Sequence, residues 1–163
     1  NNPTGTGEPT AVTIDGVTVG AMICHDDNYT DISRRYGNLP TGLVVIPTND
    51  WAYVRKAHLQ SSIHRAIESR FAVVRAATNG ISAIISPTGK RLVVSDHFVD
   101  GPGLLVADVE VHDMRTIFSR FGHWFVALSG VFVAVHVVCD RACLSHRRDA
   151  PSGHTESGLD QAR

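Results

Sequence analysis

One cysteine stands at the point of this sequence where chemistry is most readily placed. An apolar run that begins at Val17 ends abruptly at Cys24, and polar residues follow at once. The pattern predicts a buried strand that carries a thiol to its carboxyl end, where α/β sheets tend to place reactive groups. Peptide N–H groups at such a turn, those of Cys24 or His25, can stabilise a thiolate or hold an oxyanion. Cys24 is therefore interpreted as a nucleophile, with a buried structural cysteine as the alternative.

Polar residues beside this cysteine and after the next apolar run could form its surroundings. His25 and Asp26 follow Cys24 directly, and a nucleophilic cysteine needs a base and an electrostatic partner nearby. Asn49 and Trp51 lie in the turn after the second run, where they either form the wall of a pocket or simply fill a loop. These four residues are the predicted oxyanion or pocket residues.

Two charged residues on the long predicted helix form a supporting pair. Arg65 and Glu68 are three positions apart, which suits an ion pair on a helix surface that contributes little to stability. The sharper hypothesis makes Glu68 a structural acid that anchors a loop near the site. The histidines at positions 25, 58 and 64 lack the spacing of a metal site, so we expect no bound metal.

The elements that would position these groups are short strands and two helices. Asp15-Gly16 between β-branched residues predicts a hairpin turn. Apolar residues recur every four positions between Tyr53 and Phe71, which predicts a helix, and a shorter helix is predicted over 30–36. Strands are predicted over 10–14, 17–23, 43–46, 72–77, 81–86, 91–95 and 104–111. This order predicts an α/β fold with a mixed sheet and helices packed on one face.

The bulk properties of the sequence exclude several classes of protein. Its 163 residues carry a formal net charge of −1, so charge gives no support for a nucleic-acid partner. The three cysteines are an odd number, at spacings that suit neither a disulfide framework nor a zinc site. No signal peptide is visible, and the chain begins without methionine in a polar stretch. We therefore expect the chain to be a piece of a longer protein.

A long apolar segment near the C-terminus differs from the rest of the chain. Apart from His136, residues 124–139 carry no ionisable charge. About 20 helical residues cross a bilayer, and residues 121–139 approach that length. Arginines follow the segment, which favours a membrane helix with its C-terminus in the cytoplasm. The alternatives are a buried helix or a pair of core strands. Residues 141–163 are polar, and we expect them to be disordered.

Five sequence blocks resemble the C-terminal half of the carbon–nitrogen hydrolase (nitrilase) superfamily. They cover residues 9–111 in the family's order and read ICHD from Ile23, VIPTNDW from Val45, HxxxxxxRAxE from His58, VRAATNGISA from Val74 and SPTG from Ser86. Within the superfamily, the TIFSRFGHW segment from Thr116, followed by an apolar helix, is similar to the apolipoprotein N-acyltransferase family.

This resemblance implies a fold and a reaction. The fold would be half of a nitrilase-type αββα sandwich followed by one transmembrane helix. The catalytic set would be Glu-Lys-Cys, with Cys24 matching the nucleophile. The reaction would move an acyl chain from a phospholipid, through a cysteine thioester, to the N-terminal amine of a lipoprotein. No cofactor is implied.

Two members of the family's catalytic set have no match in this chain. Its only lysines, Lys56 in the predicted helix and Lys90 in a turn, stand at other positions. The family's Glu and Lys lie upstream of the cysteine strand. His25 and Asp26 stand where the acyltransferases usually have an aromatic residue and Glu. We therefore expect the partners in a missing N-terminal portion of the same protein, and we predict that the fragment alone is inactive.

The resemblance also implies boundaries and a location. Residues 1–115 would be the C-terminal portion of a hydrolase domain, 116–123 a linker, 124–140 the transmembrane helix and 141–163 a cytoplasmic tail. The protein would lie in the bacterial inner membrane with its catalytic domain on the outer face. Two other hypotheses stay open: a soluble nitrilase-type amidase that hydrolyses a small amide, and an inactive truncated module.

Overall fold

Six strands form one mixed sheet in which sequence order is also spatial order. The computed structural model describes residues 8–148, with side-chain surroundings as far as residue 141. The strands are β1 (Ala11–Ile14), β2 (Val17–Ala21), β3 (Leu43–Asn49), β4 (Ala72–Thr78), β5 (Ile81–Ile85) and β6 (Arg91–Asp96). Strands β2, β3 and β4 run parallel, whereas the outer pairs are antiparallel. The predicted mixed α/β sheet is confirmed, and the carboxyl ends of the three parallel strands meet at one edge.

Five helices accompany the sheet in the described part of the chain. They are α1 (Thr30–Asn38), α2 (Arg55–Ser69), α3 (His97–Asp100), α4 (Ile117–Phe121) and α5 (Trp124–Arg148), and a 3-10 turn spans Cys24–Asn28. Helices α1 and α2 follow β2 and β3, where the shorter and the longer helix are predicted. The hairpin between β1 and β2 is also confirmed, because Asp15 and Gly16 both have positive φ, at 48° and 82°.

The core lies between one face of the sheet and the helices α1 and α2. Val44, Ile46 and Val73 are fully buried on neighbouring strands, and Leu59 and Ala66 of α2 pack with them in one cluster. Alternate residues of a strand point to opposite faces, so Val44 and Ile46 of β3 lie on the same helix-covered face. Burying each such side chain contributes about 1.5–3 kcal/mol, which holds the strands that lead to the site.

A glycine allows α1 to reach β2 closely. A Cβ at Gly20 would meet the Tyr36 ring at 2.5 Å. Tyr36 is almost fully buried, and its hydroxyl donates to the Ala21 carbonyl at 2.7 Å. The ring therefore lies flat against the end of the strand that leads to Cys24.

Helix α4 lies inside the segment predicted as a linker, residues 116–123. The Thr116 hydroxyl accepts the Ser119 N–H at 2.9 Å and so caps the helix. The Asn38 amide donates to the Ser119 carbonyl at 2.7 Å, and Ser119 itself is fully buried. These contacts pack α4 against α1, so this part of the predicted linker is ordered.

The strand predicted over 104–111 is wrong. That segment pairs with none of the described strands, and Leu104 and Val106 are 89% and 78% exposed. An alternating pattern gives extended backbone, but a strand also needs a neighbouring edge that takes its hydrogen bonds. Among residues 8–148 no edge pairs with it.

From His123 onward the chain forms a separate unit, of which α5 is the described part. A window of 18 residues, Trp124–Arg141, has a mean hydropathy of 1.5, and none of it is buried. By length and composition alone, this helix is able to cross a membrane. The alternative of two core strands is wrong. The helix continues past the predicted end at residue 140, so the prediction of disorder is wrong for residues 141–148, and the rest of the predicted tail, 149–163, lies outside the described residues.

The contact between Gly20 and Tyr36 predicts the effect of one methyl group. Gly20→Ala forces the buried ring to move, and overpacking of this kind costs about 1–3 kcal/mol. Gly103→Ala is the control, because nothing lies within 4 Å of a Cβ there. Urea unfolding should show a lower midpoint for Gly20→Ala alone. Equal stability of the two variants would contradict this packing.

Candidate active site

Cys24 lies just beyond the carboxyl end of β2, at the first residue of the 3-10 turn. The Met22 N–H still donates to the Val45 carbonyl at 3.0 Å, so the chain follows β3 almost to the cysteine. The Cys24 thiol is half-buried, and its Sγ lies 3.9 Å from the Asn49 carbonyl oxygen at the end of β3. The thiol thus lies where the sequence predicts it, between two strand ends.

The backbone at Cys24 is in the left-handed region, with φ at 50°. A residue with a side chain pays about 1–2 kcal/mol for this conformation, so the surrounding structure must hold it. The Asp26 carboxylate accepts the Ile23 N–H at 2.9 Å, and the Asp26 N–H donates to the Ile23 carbonyl at 3.0 Å. These two bonds close the turn around Cys24. Asp26 therefore shapes the turn that presents the thiol.

The other predicted pocket residues differ in how closely they approach Cys24. Asn49 contacts the thiol through its backbone oxygen, while its side chain accepts from the Asn79 amide at 3.2 Å. The His25 Nδ1 lies 2.8 Å from the Asn28 amide nitrogen. Trp51 is 73% exposed. The structure therefore brings Cys24 and Asn49 together and leaves the Trp51 ring in solvent.

Arg65 and Glu68 do form the predicted ion pair, with 2.9 Å between Nη2 and Oε2. The pair is less exposed than a surface pair, because only 9% of the Arg65 side chain is accessible. The Glu68 carbonyl accepts from the Thr116 hydroxyl at 2.5 Å, which ties α2 to the residue that caps α4. Both residues support the packing of α2.

A buried cluster of charged groups lies beneath the Cys24 turn. The Arg75 guanidinium is fully buried on β4 and contacts two fully buried carboxylates: Asp27 in the turn at 3.0 Å, and Asp50 after β3 at 2.7 Å. The Ser62 hydroxyl of α2 donates to Asp27 at 2.5 Å. The His58 Nδ1 lies 2.8 Å from Asp50, and since a carboxylate only accepts, that nitrogen carries the hydrogen. Four elements therefore meet on one guanidinium.

The pKa values of the two carboxyl groups in this cluster are shifted from the ordinary value in opposite directions. Burial raises the pKa of Asp27 above its ordinary value of 3.8, more than the bonds from Ser62 and Arg75 lower it. Burial would also raise the pKa of Asp50, but the hydrogen bonds from His58 and Arg75 outweigh it and hold the pKa below 3.8. Asp50 is thus the more firmly ionised of the two.

The sequence contained a signal for this cluster. Arg75 interrupts an otherwise apolar strand, and a charged residue on a buried strand requires a carboxylate partner. Asp27 and Asp50 follow the first two parallel strands at the same edge of the sheet. Their approach to Arg75 depends on the register of β3 with β4, in which Ile46 pairs with Arg75.

Solved structures of similar fold come from the nitrilase superfamily. An amidase from Nesterenkonia sp. aligns with a TM-score of 0.59 at 19% identity, over 77% of this chain and 48% of its own. Saccharomyces cerevisiae Nit3, a member of branch 10 of the nitrilase superfamily, aligns with a TM-score of 0.53 at 15% identity, over 58% and 38%. At such identities the likeness shows the fold alone, which is nitrilase-like α/β.

The sequence comparison then shows the family. The carbon-nitrogen hydrolase profile matches residues 3–117, and the chain belongs to this family, whose members are enzymes. Apolipoprotein N-acyltransferase 1 of Treponema pallidum is 36% identical over 124 residues, which are 74% of this chain and 22% of the relative. Apolipoprotein N-acyltransferase of Rickettsia bellii is 32% identical over 135 residues, 77% of this chain and 26% of the relative. The chain thus spans 22% to 26% of these relatives' lengths.

The opposite pKa directions predict opposite pH dependences for two conservative variants. Ionised Asp50 stabilises the fold above pH 3.8, and this contribution is lost as the pH falls through its lowered folded-state pKa. The contribution of Asp27 is complete below pH 3.8 and is lost as the pH rises through its raised folded-state pKa. Asp50→Asn should therefore cost about 1–3 kcal/mol at neutral pH and less in acid. Asp27→Asn should become less costly as the pH rises.

Urea unfolding at a series of pH values between about 3 and 7 measures how much each variant lowers the free energy of unfolding relative to the parent chain. The two cost curves should slope in opposite directions. Parallel curves for the two variants would contradict the assignment of the charges within the cluster.

Proposed function

We propose that this chain is part of an N-acyltransferase that moves an acyl chain from a phospholipid to the N-terminal amine of a lipoprotein. The observation that carries this proposal is the half-buried thiol of Cys24, presented by a left-handed turn at the ends of parallel strands. It occurs in a chain whose curated relatives are apolipoprotein N-acyltransferases. The carbon-nitrogen hydrolase family supplies the general class of enzyme, and the finer assignment rests on these relatives.

The proposed reaction has two acyl-transfer steps. In the first, a base takes the proton of the Cys24 thiol, the thiolate attacks the ester carbonyl of the phospholipid, the carbon–oxygen bond breaks, and the protonated base returns the proton to the leaving lysophospholipid alkoxide. In the second, the lipoprotein amine attacks the thioester, the carbon–sulfur bond breaks, and the amine loses its proton to a base. Peptide N–H groups of Cys24 or His25 would hold the oxyanion of each tetrahedral intermediate.

The base and the lysine that the family resemblance implies need a source outside the residues around Cys24. Lys56 and Lys90 are both exposed, one on α2 and one in the turn before β6. We propose that the Glu and the Lys are supplied by a portion of the protein outside this chain, and that the 163 residues show no turnover alone.

A soluble amidase is the second candidate, because the similar solved structures are amidases. The same thiol would attack an amide, an amine would leave, and water would release the acid. The two candidates share the covalent step and differ in donor and acceptor, so the identity of the trapped acyl group separates them.

A membrane location follows from the proposed substrates. Residues 124–140 would span the bacterial inner membrane, with residues 1–115 outside and the C-terminus in the cytoplasm. The support is the apolar, unburied window Trp124–Arg141 and the arginines that follow it, since positive residues favour the cytoplasmic side.

Acyl-enzyme trapping tests the proposed nucleophile. Full-length protein incubated with a phospholipid that carries a labelled acyl chain should retain label that neutral hydroxylamine releases, as a thioester requires. Cys24→Ala should lower this labelling at least about a thousandfold, because no other group can replace the nucleophile. Cys139→Ser, a change of an exposed cysteine on α5, is the control and should label normally. Undiminished labelling of Cys24→Ala would contradict the proposal.

Membrane partition tests the role of α5. Val131 lies near the middle of the apolar window, where arginine costs about 2.5–3.5 kcal/mol of insertion free energy. Val131→Arg should therefore move a large part of the chain from the carbonate-resistant membrane pellet into the supernatant, and Val131→Leu should not. If the parent chain is found in the supernatant, the membrane assignment is contradicted and the soluble amidase becomes the favoured function.

A further inference from the structure

The buried cluster beneath Cys24 joins two parts of the site that the backbone leaves separate. Asp27 belongs to the turn that starts with Cys24, and Asp50 follows Asn49, whose carbonyl faces the thiol. The Arg75 guanidinium bonds to both carboxylates from different nitrogen atoms, Nη1 and Nη2. Because the guanidinium fork is planar and rigid, it fixes the turn relative to the end of β3.

The cluster is poorly explained as a device for stability alone. Its ion pairs are formed by Asp27, Asp50 and Arg75, and the side chains of all three are fully inaccessible to solvent. In the described part of the chain, Asp27 Oδ1 and Arg75 Nε find no hydrogen-bond partner. Buried ion pairs with incomplete hydrogen bonding usually stabilise a fold less than apolar side chains of the same size. A role in the site accounts for the retention of such a group.

One further group of the cluster can carry a positive charge. Asp27 and Asp50 together carry two negative charges when ionised, and Arg75 balances one of them. His58 is the remaining ionisable partner, and its Nδ1–H donates to Asp50. Its ring lies 5.8 Å from the His25 ring, centroid to centroid, next to Cys24. When Asp27, Asp50 and His58 are all ionised, the cluster has no net charge.

We propose that Arg75 and His58 are positioning residues for Cys24, which hold its turn and keep the charge beneath the thiol balanced. The titratable and charged groups of the turn and of the cluster are His25, Asp26 and Asp27 in the turn, Asp50 after β3, Arg75 on β4 and His58 on α2. An uncompensated carboxylate would disfavour the thiolate by repulsion. This inference rests on the proposed role of Cys24 as nucleophile.

Alkylation of the thiol tests this without any need for turnover. In full-length protein with every cysteine except Cys24 replaced by serine, the rate of reaction with iodoacetamide is measured from about pH 5 to about pH 10. A unit charge lost within roughly 10 Å of a titrating group, at an effective dielectric constant of about 20, shifts its titration by about one pH unit. Arg75→Gln should raise the pH of half-maximal rate by that amount. Arg75→Lys keeps the charge and should stay close to the parent.

Two further variants keep the test decisive. His58→Gln retains a donor for Asp50 but removes the second group that can carry a positive charge, so it should shift the profile in the same direction, and the position is partly accessible. Ser69→Ala is the matched control, because it removes buried bonds to Ser33 between α1 and α2. It should lower stability and leave the profile unchanged.

The outcomes are distinct from those of the acyl-transfer assay. Superimposable profiles for the parent, Arg75→Gln and His58→Gln would overturn the proposal, as would an equal shift in Ser69→Ala. If Arg75→Gln fails to fold, an unshifted His58→Gln overturns it alone. If both variants show the expected shifts in the alkylation profile but the parent protein is not acyl-labelled, the role of the charge cluster is supported and the proposed acyl donor is contradicted.

Discussion

The interaction on which this structure depends is a single guanidinium shared by two buried carboxylates. Arg75 reaches from the central part of β4 to Asp27 and Asp50, and none of the three side chains is accessible to water. Removing Arg75 would leave two buried carboxylates without the guanidinium that bonds to both, which is far more costly than losing an exposed pair. The bonds from Arg75 to Asp27, Asp50 and Ser62 therefore fix the Cys24 turn, the end of β3 and helix α2 relative to one another.

This constraint explains several residues that look unremarkable in the sequence. A Cβ at Gly80 would meet the Asp50 carboxylate at 2.6 Å, so the turn between β4 and β5 requires glycine. The Thr48 hydroxyl donates a hydrogen bond to Asp50 at 3.2 Å, and the Ser62 hydroxyl donates one to Asp27. Three of the five sequence blocks that carry the family resemblance contribute to this cluster: those that begin at Val45, His58 and Val74 contain Asp50, His58 and Arg75.

Much of the fold could be predicted from local patterns, because period and turn chemistry act over a few residues. The Asp15-Gly16 hairpin, the parallel strands and α2 all follow from such patterns. The strand predicted over 104–111 is wrong because an extended pattern does not specify which strand the segment would pair with. The Cys24 position was predictable from the abrupt end of an apolar run. The cluster was not, because it joins residues as far apart as Asp27 and Arg75, and only strand register brings them together.

The α/β unit alone does not distinguish an amidase from an acyltransferase. In either of the proposed reactions, a thiol held at a strand end would form the same kind of acyl-enzyme, from an amide or from an ester. The difference lies in which acceptor reaches the thioester first, water or an amine, and in which donor is concentrated near the site. An apolar helix in the same chain would confine the donor to lipid, since binding at a bilayer raises the local concentration of acyl esters over soluble amides. The choice between the two reactions is therefore governed by where the thiol is held, more than by how it is activated.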